Sequence, residues 1–140
     1  MPFCHMRKAL AFLLPVLLLI SCTYTVTKIK EPEFAGPVDS LQAGLNALVA
    51  CQHFHLDGKE VTTNGVPLSQ LEIDVINGKD IPETDSAMKT LAHSIASEVK
   101  KFLKDKKAYD TYPVLFVKLQ ESSTETKRSW KGWTFKSAEL

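Results

Sequence analysis

Apolar residues recur along this chain with two different periods, and each switch of period marks a new element. Leu41, Leu45, Leu48 and Val49 fall at i, i+4, i+7 and i+8, one helical stripe. Asp39, with Gln42 three residues on, supplies a capping-box start, so a helix is predicted over 39–51. From Gln52 the period drops to two. His53-Phe54-His55-Leu56 alternates, and Lys59 to Thr63 runs on to a turn signal at Asn64-Gly65. Asp57-Gly58, in between, reads either as a tight hairpin turn or as a bulge within one strand over 53–63. The bulge is preferred, because hairpin arms of four residues would be very short. It would put Val61 on the face of Phe54 and Leu56.

Leu71 to Ile76 alternates apolar and acidic, a strand with Leu71, Ile73 and Val75 inward and Glu72 and Asp74 toward water. Met88, Leu91, Ala92, Ile95, Val99, Phe102 and Leu103 then recur at helical spacing, predicting a helix over 84–107. Tyr112 to Gln120 is almost continuously apolar, as in a central strand. Residues 121–127 are polar and read as a hairpin connection, and 129–136 as a last, aromatic strand. Residues 22–37, broken by Pro32, Gly36 and Pro37, read as a spacer rather than an edge strand. The expected domain is a single two-layer α+β unit over 38–140. Its order is α-β-β-α-β-β, with a mostly antiparallel sheet and helices on one face.

Ahead of this pattern lies an apolar run, Ala9 to Ile20, preceded by Arg7 and Lys8 and followed by Ser21-Cys22. As a helix its 12 residues would span about 18 Å, against about 30 Å for a bilayer core. Those are the proportions of a signal-peptide core. Leu19-Ile20-Ser21-Cys22 resembles the lipobox of bacterial lipoproteins: an aliphatic residue, a tolerant position, a small residue, then cysteine. An ordinary secretory cut at the same place would put Leu19, too large, third from the cut. The resemblance covers residues 1–22. It implies that residues 1–21 are removed as a signal peptide, that Cys22 carries a diacylglyceryl lipid, and that 22–37 form a lipidated tether. The domain would then sit on a membrane without crossing it. Thr23 stands where some lipoproteins of double-membraned bacteria carry an aspartate that retains them at the inner membrane. The outer membrane is therefore the implied destination.

Composition and charge narrow the partners. The chain has 17 basic and 16 acidic residues, so it lacks the clustered cationic excess that nucleic-acid binding requires. Without residues 1–21, Cys4 is lost and Cys22 is acylated. Cys51 then stands alone, so no internal disulfide can form, and stability must come from a packed core.

Candidate chemistry is sparse. Cys51-x-His53-x-His55-x-Asp57 carries four metal-ligating residue types at strand spacing. Four successive same-face residues nevertheless span roughly 20 Å, too far to grip one ion, so His53 and His55 make at best a two-ligand surface pair. Cys51 sits near a helix end rather than opening a helix, unlike the nucleophile of cell-wall cysteine peptidases. His93 lies beside an apolar stripe and reads as a boundary residue. Lys100, Lys101, Lys104, Lys106 and Lys107 read as a solvated helix end rather than a phosphate or headgroup patch. Trp133 shares strand parity with Phe135 and is expected buried, whereas Trp130 points the other way and is a candidate stacking platform. No catalytic signature, cofactor or metal site is expected. The chain thus reads as a non-enzymatic envelope lipoprotein with a possible protein or glycan partner. The alternative is a small metal-binding protein or enzyme using His53 and His55.

Overall fold

The computed structural model describes residues 23–140. Residues 1–22, on which the expected signal peptide and lipid attachment at Cys22 fall, lie outside the described residues. Along the chain come β1 (Thr25–Ile29), α1 (Val38–Leu48), β2 (His53–Thr63), β3 (Val66–Ile76), α2 (Asp85–Phe102), β4 (Thr111–Glu121) and β5 (Thr126–Lys136). A short 3-10 turn, Ser137–Glu139, follows. The strands form one mixed sheet in sequential order, β1-β2-β3-β4-β5. Three of its pairings are antiparallel, and β3 with β4, joined through α2, is parallel. The fold is α+β, but the element order is β-α-β-β-α-β-β, with one strand more than the alternation predicts.

The core is a single cluster. Leu41, Leu45 and Val49 from the α1 region and Ala92, Ile95, Ala96 and Val99 from α2 meet Leu71, Ile73 and Val75 of β3 and Tyr112, Val114 and Phe116 of β4. Ile73 pairs with Val114 and Val75 with Phe116, so these side chains share one sheet face.

The extra strand corrects the tether. Thr25 to Ile29 pair antiparallel with Lys59 to Thr63. Phe34 then bridges to Leu103, and Ala35 N–H donates to the Phe102 carbonyl at 2.8 Å. Residues 25–35 are therefore part of the domain. They also explain why α2 stops at Phe102 instead of 107. Leu103 turns extended and buries, and Lys104 N–H donates to the Glu33 carbonyl at 2.9 Å. Backbone partners supplied from 33–35 outcompete another helical turn. At its start, α2 is capped by Thr84, which accepts from Ala87 N–H at 3.3 Å. In α1, Pro37 occupies the cap and no side chain caps the helix, so the Asp39–Gln42 capping box does not form. That helix ends at Leu48 because Val49 turns extended toward β2.

Neither reading of Asp57-Gly58 holds. β2 and β3 pair one for one from His53–Ile76 to Thr63–Val66, without turn or bulge, and Val61 faces away from Phe54 and Leu56. The hairpin turn is Asn64-Gly65, both with positive φ (51° and 80°). Gly58 is needed for a different reason. A Cβ there would lie 2.0 Å from the Lys30 carbonyl oxygen and 2.5 Å from the Tyr109 hydroxyl. Tyr109 donates to that same carbonyl at 2.6 Å, and Lys30 N–H donates to the Gly58 carbonyl at 2.8 Å. The glycine admits the end of β1 into the fold.

Candidate functional site

Among the described residues the sheet's second face carries no helix, and its central charge is Asp74. Expected to face water, Asp74 is only 6% exposed, because it lies on an interior strand and Arg128 reaches it from β5 at 3.5 Å. Among the described residues its Oδ1 has no hydrogen-bond partner. Burial pushes the carboxyl above its usual range, with Glu72 adding to the shift and Arg128 and His55 opposing it. Lys59 pairs with Glu72 at 3.2 Å beside it. This is a structural charge network.

His53 and His55 lie exposed on that same face, opposite Ile76 and Asp74 across the β2–β3 ladder. Cys51 packs half-buried against the core, and burial raises its thiol pKa, which disfavours the nucleophilic thiolate. Among the described residues no group of three or more His, Cys, Asp or Glu side chains is placed to hold a metal ion. The Cys51–Asp57 series is therefore not brought together. His93 has a structural position: its Nε2 is 2.8 Å from the Glu139 carbonyl, and its ring meets Phe135 edge-on.

The lysine run is a largely solvated helix end from which Lys100 and Lys104 reach distant segments. Lys100 donates to the carbonyls of Ser137 and Leu140. Lys101 pairs with Glu98, Lys104 with Glu33, and Lys106 with the Lys101 carbonyl.

A concavity lies where the parallel β3–β4 pairing ends, at Ile76 and Val117, beside β5. It is a cleft of about 640 Å³. Val75 and Phe116 form its floor, and Ile81 from the loop after β3 and Met88 from α2 form one wall. Lys118, Ser129 and Lys131 form the other. Asn77 shapes this end. It adopts φ 49° and donates its N–H to the Val117 carbonyl. Its side chain accepts from Leu119 N–H at 2.8 Å and donates to Gln52 at 2.7 Å. Three strand ends are thereby tied beside the opening. Trp130 is 65% exposed, while Trp133 packs against the core. Lys131 is paired with Asp85 and stacks over Trp133. Among the described residues Lys118 makes no ion pair, and it stands exposed at the rim. The cleft's lining contains no cysteine, histidine or carboxylate among the described residues. Apolar floor and cationic rim suit a ligand with an apolar face and a nearby negative charge. The Trp130 indole is not part of this cleft: Phe116 pairs with Lys131 and Val117 with Trp130, so alternation turns the indole onto the open face, beside Arg128. Strand parity singles out Trp130 in the sequence, whereas the cleft, built from separated segments, leaves no local signal there.

Compared with protein-family models, with curated proteins and with solved structures, the chain finds no match. Among the described residues no helix is long and apolar enough to cross a membrane.

Proposed function

We propose that this chain is a bacterial envelope lipoprotein. A lipid on Cys22 holds it to a membrane, and the α+β domain serves as a non-enzymatic binding component. The observation that carries the reading is the order of features at the N-terminus: Arg7-Lys8, a 12-residue apolar run, Leu19-Ile20-Ser21-Cys22, and then a domain whose first strand starts at Thr25. Each buried methylene of the lipid contributes about 0.8 kcal/mol, so two or three acyl chains make the attachment effectively permanent. The exposed Trp130 indole on the open face and, on the other face, the apolar cleft with Lys118 at its rim supply surfaces for binding. The partner class is an envelope protein or a glycan, stacked on Trp130. Thr23 after Cys22 favours the outer membrane.

The test is metabolic labelling with a clickable fatty acid. The wild-type chain should take up label and fractionate with membranes. Cys22→Ala should take up none and accumulate as uncleaved or mis-sorted precursor. Equal labelling of Cys22→Ala, or none of the wild type, would make the chain simply secreted.

A further inference from the structure

The anchor and the fold meet at one end of the sheet. Only Thr23 separates Cys22 from Tyr24, so their Cα atoms are at most about 7 Å apart. Tyr24 is already tied to the domain, its carbonyl accepting from Asn64 N–H at 3.0 Å. Asn64 is the turn of the β2–β3 hairpin, and this hairpin projects. β4 first pairs with β3 at Gln70, so Val66 to Ser69 extend beyond it.

The projecting tip differs in composition from the rest of the chain. Residues 23–27 and 61–69 contain no charged side chain, in a chain that is 24% charged. Tyr24 (71% exposed), Val66 (69%) and Leu68 (43%) sit there, three of the seven large hydrophobics exposed among the described residues. Charge then begins at one level on neighbouring strands. Lys28 lies opposite Glu60, Glu60 opposite Ser69, and Ser69 N–H donates to Asp110 at 2.8 Å. From Asn64 to Glu60 is about 13 Å of strand at 3.3 Å per residue. Segments that rest in a membrane interface bury their apolar side about 5–10 Å, and tyrosine favours that zone.

Resting on the lipoprotein reading, we propose that the Tyr24–Val66–Leu68 tip is a second membrane contact. It dips into the lipid headgroup region of the bilayer that holds the Cys22 lipid, down to the belt formed by Lys28, Glu60 and Asp110. The occupant of this exposed patch is the lipid surface itself, because the anchored residue cannot lie more than two residues from it. A rigid stand replaces a swinging tether. The cleft, about 33 Å away at the other end of β3, is thereby held facing off the membrane.

Full-length acylated protein carrying Val66→Cys in a Cys51→Ala background is labelled with an environment-sensitive fluorophore. It is then reconstituted into vesicles of zwitterionic and anionic phospholipid. A matched protein carries the probe at Glu121→Cys, beyond the cleft end. The expected result is blue-shifted emission at 66, quenched by a nitroxide near the lipid headgroup, with aqueous emission at 121. Leu68→Cys repeats the measurement away from the turn, in case a probe at 66 disturbs it. Fatty-acylated protein whose probes at 66 and 68 match that at 121 would overturn the contact while leaving the anchor intact. If Cys22 takes up no fatty acid, the anchor reading fails first and the contact falls with it.

Discussion

At the scale of single residues, two positions carry measurable consequences. Gly58 holds open the crossing of the Lys30 backbone under Tyr109, and the group that a methyl would meet is backbone, which cannot swing aside. Gly58→Ala should cost about 2 kcal/mol and lower Tm by roughly 8 °C, read by calorimetry. Asp74 is the second. Its carboxyl is buried, half-satisfied and raised above the ordinary 3.8 by burial, with His55 and Asp57 on β2, Glu72 on its own strand and Arg128 on β5 around it. The folded state holds that proton more tightly than the unfolded chain does. The domain therefore loses stability as pH rises from the ordinary aspartate value through the raised folded one. Asp74→Asn should remove this loss, stabilising the domain by about 1 kcal/mol at pH 7. The gain should vanish near pH 3, where the carboxyl is protonated in the folded state and largely so in the unfolded chain. Losing the pairing with Arg128, itself half exposed, subtracts little. Equal pH profiles for the two proteins would show that Asp74 titrates normally.

At the scale of elements, periodicity was legible wherever one face meets the core. Leu71, Ile73 and Val75 are all fully buried, as alternation requires, and the α2 stripe holds through Ala92, Ile95 and Val99. Val99→Asp should therefore abolish the cooperative thermal transition, because the charge would be buried without a partner. Phe102, only partly buried, should tolerate Asp as a weakened but folded domain. The failures share a cause: the deciding partner lies far away in sequence. Thr25 to Ile29 are β-prone, but the charged, Pro- and Gly-broken run that follows reads as a spacer, and only the open edge of β2 makes them a strand. Residues 103–107 continue the helical pattern, yet lose to backbone bonds from Glu33 and Ala35. Glycine at 58 signals a turn and a close approach identically, and only the position of Lys30 separates the two. The cleft was hidden for the same reason, since its walls come from four separated segments.

At the scale of the molecule, the parallel β3–β4 step places the two ends of the sheet in opposition. One end holds the uncharged hairpin that follows Cys22 in the chain, and the other holds the cleft with Lys118 on one face and Trp130 on the open face. If the open sheet face at that end is the recognition surface, Trp130 should matter to binding and not to folding. Its indole is 65% exposed, and its neighbour across the ladder, Val117, stays on the sheet in its absence. Trp130→Ala should thus shift stability by no more than about 0.5 kcal/mol. The loss of a stacking tryptophan at the centre of a contact typically costs about 2 kcal/mol, roughly thirtyfold in affinity. A photoreactive residue at Leu119, which shares the Trp130 face one pair along the ladder, makes this measurable in cells while the partner is still unidentified. The acylated protein should yield a discrete adduct with an envelope protein or glycan, and Trp130→Ala should lose most of it while keeping its Tm. A probe at Lys79, outside the cleft lining, should not give the same adduct. Equal adducts with and without the indole would remove Trp130 from the contact and move the search to the cleft on the other face, floored by Val75 and Phe116.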